Sequence, residues 1–131
     1  MLSENHKEFI KKAKKNFRKI RYVECPALNG QKIYFTDKGF THLLRKGREL
    51  RPIEIQIKRI KLFKYAIPIL RGCNVFHTHR IVKKQFMSST GLVDSTANFW
   101  SFKKKIDGKY IIVIVCQINK ELKHFLSIMD H

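Results

Sequence analysis

Acidic side chains are scarce in this chain. Ten Asp and Glu stand against 28 Lys and Arg. So few carboxylates argue against a glycosidase-like pair of catalytic acids. Cysteine is sparse too: Cys25, Cys73 and Cys116 are odd in number and show no Cys-x-x-Cys spacing. That pattern argues against zinc and suits buried or inert thiols in a reducing compartment. The longest apolar run, Tyr110 to Cys116, is far too short to span a membrane. No secretory pattern opens the chain, because Met1-Leu2-Ser3-Glu4 leads straight into lysines. These absences point to a cytoplasmic site of action, with neither signal peptide nor transmembrane segment. No internal repeat or low-complexity segment is visible.

The cations left unbalanced are what the sequence has in abundance. A net charge of +18 on 131 residues works against compaction by self-repulsion, so a polyanionic partner is expected. The bland alternative is a merely soluble basic surface. Hydrophobic residues make up 44% of the chain, enough for one core and not two.

Residues 3–21 carry Phe9, Ala13, Phe17 and Ile20 at helical spacing among lysines, which predicts a basic amphipathic helix. With the turn at Pro26 and Asn29-Gly30 it forms an N-terminal segment, 1–30, ahead of the main unit, 31–131. Packing on the domain is its first reading; an arm touching RNA phosphates or a membrane surface is the alternative. Gln31 to Phe35 reads as a short edge strand. Thr36 caps a helix with Asp37 in its first turn, Phe40, Leu43 and Leu44 on one face, and Gly47 as its stop. After the basic link Arg48 to Arg51, Pro52 opens a helix with Ile53, Ile57, Ile60 and Ile67 on one face. Pro68 should kink or end it. A strand follows at CNVFHTHRIVKK, then the Ser/Thr-rich QFMSSTGLVDSTAN, which reads as a mobile loop.

The chain is organised around residues 97–129. Asp107-Gly108 predicts a two-residue hairpin turn, which sets Phe102 opposite Val113, Trp100 opposite Val115 and Asn98 opposite Gln117. One face then carries Trp100, Phe102, Val113, Val115 and Gln117. The other carries Lys103, Lys105, Tyr110, Ile112, Ile114 and Cys116. A four-residue loop at 119–122 would place His124 beside Gln117, and a three- or five-residue loop would reverse that parity. Helices first and an antiparallel sheet after them make an α+β plan, with helices packed on a four-stranded sheet, or a five-stranded one if the edge strand joins.

The segments YFTDKGFTHLLRKGRELRP, EIQIKRIKLFKYAIPIL, FWSFKKKIDGKYIIVIVCQIN and LKHFLSIM, in that order, resemble small RNase toxins. The family is the barnase–EndoU–colicin–RelE-like superfamily, especially its phage-associated and contact-dependent-inhibition branches. The likeness runs from about Ile33 to Met129 and rests on the order of elements, a histidine on the first matched helix and a His-Phe-x-Ser ending. It implies two helices against a four-stranded antiparallel sheet and metal-free cleavage of RNA on the exposed sheet face. The N-terminal helix has no counterpart in it.

Such cleavage needs a base for the ribose 2′-OH, an acid for the leaving 5′-oxygen and cations for the charged phosphorane. His124, in the His-Phe-x-Ser ending, is the first candidate, against the reading of a surface histidine after a loop. His42 is the second, against a half-buried helix histidine. Ser127 and Gln117 are candidate hydrogen-bond donors to phosphate or base. His77 and His79 share a strand face and form a second-choice acid–base pair; as metal ligands they lack a third partner. Arg48, Arg51 and Arg59 are nominated for phosphate contacts, as the resemblance places basic residues in that region. Lys103, Lys104 and Lys105 are expected to contact phosphate too. Trp100 is a candidate base-stacking residue, worth about 1–3 kcal/mol per base, although its apolar neighbours favour the core. The expected protein is an endoribonuclease toxin acting on tRNA or ribosome-bound mRNA, needing no cofactor, with an acidic antitoxin or immunity protein as partner. The rivals are a non-catalytic RNA- or ribosome-binding module and a structural protein of a mobile element.

Overall fold

A computed structural model describes residues 4–131. The opening Met1-Leu2-Ser3, with the expected first residue of the first helix, lies outside them. Apolar spacing builds helix α1 (Glu4–Arg18), which buries Phe17. It ends sooner than expected, because Tyr22–Cys25 forms a strand, β1. Positive φ angles at Asn29 and Gly30 turn the chain into β2 (Gln31–Tyr34). Helix α2 (Asp37–Leu44) buries Phe40 and Leu43. Thr36 stands at its N-cap, but the hydroxyl makes no capping bond.

Gly47 is not the stop of that helix. It sits at φ 64° in the turn of a two-stranded ribbon, β3 (Arg45–Lys46) and β4 (Glu49–Leu50), which replaces the expected basic link. Helix α3 (Ile53–Leu62) gives way to a 3₁₀ turn at Phe63–Tyr65 and resumes as α4 (Ala66–Gly72). The Pro68 ring crowds the carbonyl four residues back, at Lys64, so the break falls where the proline imposes it. Three long strands and a shorter one complete the chain: β5 (Thr78–Ser88), β6 (Gly91–Ile106), β7 (Lys109–Ile118) and β8 (His124–Asp130).

The fold is α+β, as expected, but the sheet has six strands and is mixed, not four-stranded and antiparallel. Its order is β1-β2-β8-β7-β6-β5. The presumed edge strand β2 is interior, paired with β1 on one side and parallel to β8 on the other, where Tyr34 meets His124. The Asp107-Gly108 turn takes the positive φ values such turns need, and the β6–β7 register is the expected one. The segment read as a mobile loop is instead the far half of the β5–β6 hairpin. Serine and threonine suit an exposed ladder as well as a loop, and Ser88 Oγ closes the turn by accepting from Thr90 N and donating to the Gly91 carbonyl. Among the described residues no helix is long and apolar enough to cross a membrane.

Phe102, Val113 and Val115 are fully buried beneath the helices. Phe17, Phe35, Phe40, Phe63 and Phe125 pack ring against ring beside them. Helix α2 comes close to β8 because residue 39 has no side chain. A Cβ there would lie 2.5 Å from the Phe125 carbonyl oxygen and 2.9 Å from its ring. Gly39→Ala is therefore expected to destabilise the protein by about 1–3 kcal/mol, read as a lower urea midpoint at unchanged slope.

Candidate active site

The sheet face turned away from Phe102 holds a groove of about 660 Å³. Its floor comes from alternate residues of four strands: Thr78 and Arg80, Phe99 and Ser101, Ile114, then Ser127 and Met129. Register brings them together, since Thr78 opposes Ser101, Ser101 opposes Ile114 and Ile114 opposes Ser127. A register shift between Ile114 and Val115 lets β8 bend at this point. His42, Lys46, Arg51 and Arg59 reach in from the helical side, so the groove joins four cations to one imidazole and three hydroxyls.

Both guanidiniums of that wall are tied in place. Arg59 Nη1 donates to Ser127 Oγ (2.9 Å) and to the Ile128 carbonyl (3.3 Å), which fixes α3 against β8. Arg51 Nε donates to the His42 carbonyl (3.2 Å), capping the end of α2. The buried Gln56 amide in turn donates to the Arg51 carbonyl (2.7 Å). Across the floor the Thr78 and Ser101 hydroxyls are hydrogen-bonded to each other. Burial lowers the pKa of both arginines, yet a guanidinium stays charged at any working pH.

His42 is the histidine that lines this groove. Burial lowers its pKa most, and Arg51, Arg59 and Lys38 lower it further by repelling a second positive charge. Its Nδ1 is buried with no hydrogen-bond partner. A neutral imidazole beside two guanidiniums can accept a proton from a substrate whose phosphate those guanidiniums hold.

His124 lies on the same sheet face, one row away, and is not part of the groove wall. It opposes Cys116 rather than Gln117, because the β7–β8 connection is five residues long and reverses the parity. Burial and Lys38 lower its pKa, partly offset by the Leu122 carbonyl and Glu121. Lys38 lowers the pKa of both His42 and His124 by charge repulsion. Gln117 points to the opposite face from Ser127, and its amide donates to the Glu121 carbonyl (2.9 Å), tying down the loop.

The remaining candidates are scattered. Arg48 is exposed in the β3–β4 turn, outside the groove, and its carbonyl accepts from Arg45. Lys103 and Lys105 flank the Tyr110 ring at 4.5 and 5.8 Å, beyond the groove, while Lys104 turns the other way, toward Gly72. Trp100 contributes to the wall, but it is 8% exposed and its ring stacks on His79 at 4.9 Å. It is core, capped by a histidine. His79 lies on that helix-side face, hydrogen-bonded to Asn98, and His77 precedes β5 with its backbone N–H on the Ser101 carbonyl. Neither reaches the groove. The residues missed were Thr78, Arg80 and Ser101. Alternation along the strand puts Thr78 and Arg80 on the face opposite His77 and His79, and that was the available signal.

Among the described residues no three His, Cys, Asp or Glu side chains gather closely enough to hold a metal ion. Comparison with known proteins finds no matching family model, no matching curated protein and no matching solved structure. Fold and groove together define a basic α+β protein with a histidine set among arginines on an open sheet face.

Proposed function

We propose that this protein is a metal-independent endoribonuclease of the toxin kind. One observation carries the reading: His42, kept neutral by its surroundings, shares a groove with Arg51, Arg59 and Ser127 on a chain of net charge +18. The resemblance to barnase–EndoU–colicin–RelE-like toxins points the same way. In the proposed step His42 takes the proton of a ribose 2′-OH, whose oxygen attacks the adjacent phosphorus. Arg51 and Arg59 stabilise the charge that builds on the phosphorane. The P–O5′ bond breaks, the 5′-oxygen takes a proton from water in the open groove, protonated His42 returns its proton to the hydroxide that is left, and a 2′,3′-cyclic phosphate end remains. His124, one row away, supports the site rather than touching the reacting atoms.

The proposed substrate is tRNA or ribosome-bound mRNA, met in the cytoplasm. An acidic antitoxin or immunity protein covering the basic face is the proposed partner. Incubation with total tRNA and rRNA in excess EDTA tests the reading. Discrete fragments ending in cyclic phosphate are expected. Intact RNA held in a salt-sensitive complex would replace the enzyme with a binding module, and a stable oligomer without toxicity would favour a structural protein.

A further inference from the structure

Past the end of β7 the sheet narrows to two strands. β7 accompanies β6 only as far as the Ala97–Ile118 pair, yet β5 and β6 run on together from Lys83–Thr96 to Ser88–Gly91. A bare ribbon therefore projects from the sheet, and its side chains alternate between two faces. The face continuous with the groove holds a second hollow of about 390 Å³, whose walls include Arg80, Lys84, Ser95 and Phe99. Arg80 and Phe99 line both hollows, so the two form one track.

The track mixes cations with apolar side chains, Val82, Ala97 and Ile118 among them. The Arg80 guanidinium lies 5.1 Å over the Phe99 ring. Small residues, Ser95 and Ala97, leave the floor open between Phe99 and Phe86, and Phe86 is 51% exposed near the tip. Asp94, the ribbon's one carboxylate, pairs with Gln85 on the reverse face. Cations, one open aromatic ring and one guanidinium laid over a second ring, with no carboxylate on the same face, suit a strand that offers phosphates and unpaired bases.

We propose that this ribbon face is a second subsite for single-stranded RNA, taking the nucleotides that flank the one held in the groove. The proposal rests on the ribonuclease reading for the identity of the strand. Bases stack on Phe86 and against the Arg80 guanidinium that covers Phe99, and phosphates run past Lys84. From Ser101 to Val93 the track is roughly 26 Å long at about 3.3 Å per residue. That length takes at most about eight stacked nucleotides at roughly 3.4 Å each.

The test uses the whole protein and uncleavable 2′-O-methyl oligonucleotides of about four and about twelve nucleotides, a span bracketing known site sizes. Binding is read by fluorescence anisotropy across a salt series. The double variant Lys84→Ala/Phe86→Ala is expected to weaken the longer oligonucleotide about tenfold more than the shorter. Its salt slope should also fall by about one. The reverse-face variant Lys83→Ala/Met87→Ala should change the ratio between lengths by less than about twofold. Equal losses on both lengths, or an equal effect from the reverse face, overturn the subsite. Unchanged binding of the longer strand also overturns it and leaves the ribbon to a protein partner. Because these oligonucleotides are never cut, the result stands apart from whether RNA is cleaved in EDTA.

Discussion

With His42 replaced by alanine, RNA cleavage is expected to fall by about 10²–10⁴-fold, while RNA affinity changes little. His124→Ala should cost far less, because His124 stands outside the groove wall. The pH profile separates a base from a merely structural histidine. His42 must be unprotonated to accept the 2′-OH proton, and its pKa lies below the usual histidine range through burial and the charges of Arg51, Arg59 and Lys38. Cleavage should therefore rise with pH through a midpoint lower than an ordinary histidine would give, and then level off. Arg51→Gln removes one of those charges and should move the midpoint upward. A larger loss from His124→Ala than from His42→Ala would return the catalytic role to the closing strand.

Phe125→Ala is expected to remove about 3–5 kcal/mol of stability, a large share of the roughly 5–15 kcal/mol that a domain commands. The Phe125 ring stacks on Phe35 at 5.3 Å, meets Phe63 edge-on at 5.3 Å, and lies beneath Gly39. Truncation leaves a void among rings that cannot all move inward. Its neighbours on β8, Ser127 and Ile128, hold Arg59, so the groove should loosen with the core. Urea unfolding measures the loss, with Leu122→Ala, 65% exposed, as a reference expected within about 0.5 kcal/mol of wild type. A loss below about 1 kcal/mol would mean that the aromatic cluster repacks freely.

What the sequence made legible was local. Asp107-Gly108 set the β6–β7 register because a two-residue turn leaves little choice. Pro68 marked the break between α3 and α4 for an equally local reason. The parallel contact of β2 with β8 could not be read, since nothing near Gln31–Tyr34 tells which distant strand will lie beside it. Within QFMSSTGLVDSTAN the exposed Phe86, Met87 and Leu92 obscured the alternation, because both faces of a bare ribbon meet water. The site divided in the same way. His42 and Ser127, named for their chemistry, and Arg51 and Arg59, named on the resemblance, share one groove. Gln117 and His124 were coupled through a loop length that a single residue reverses. Thr78, Arg80 and Ser101 were passed over because their types are common on any strand.

The meeting of Tyr34 with His124 also bears on the order in which the molecule assembles. Contacts between segments far apart in sequence carry a loop-closure cost before they return any stability, so this topology belongs with the slower-folding domains. A chain ending before β8 has α2 without Phe125, Arg59 without Ser127 and β2 without its inner neighbour. It carries all 28 Lys and Arg and most of the groove-lining residues, but not Ser127 or Met129. The last strand is therefore what fixes Arg59 over the floor, and an unfinished chain has the cations of the groove without the partner that holds one of them in place.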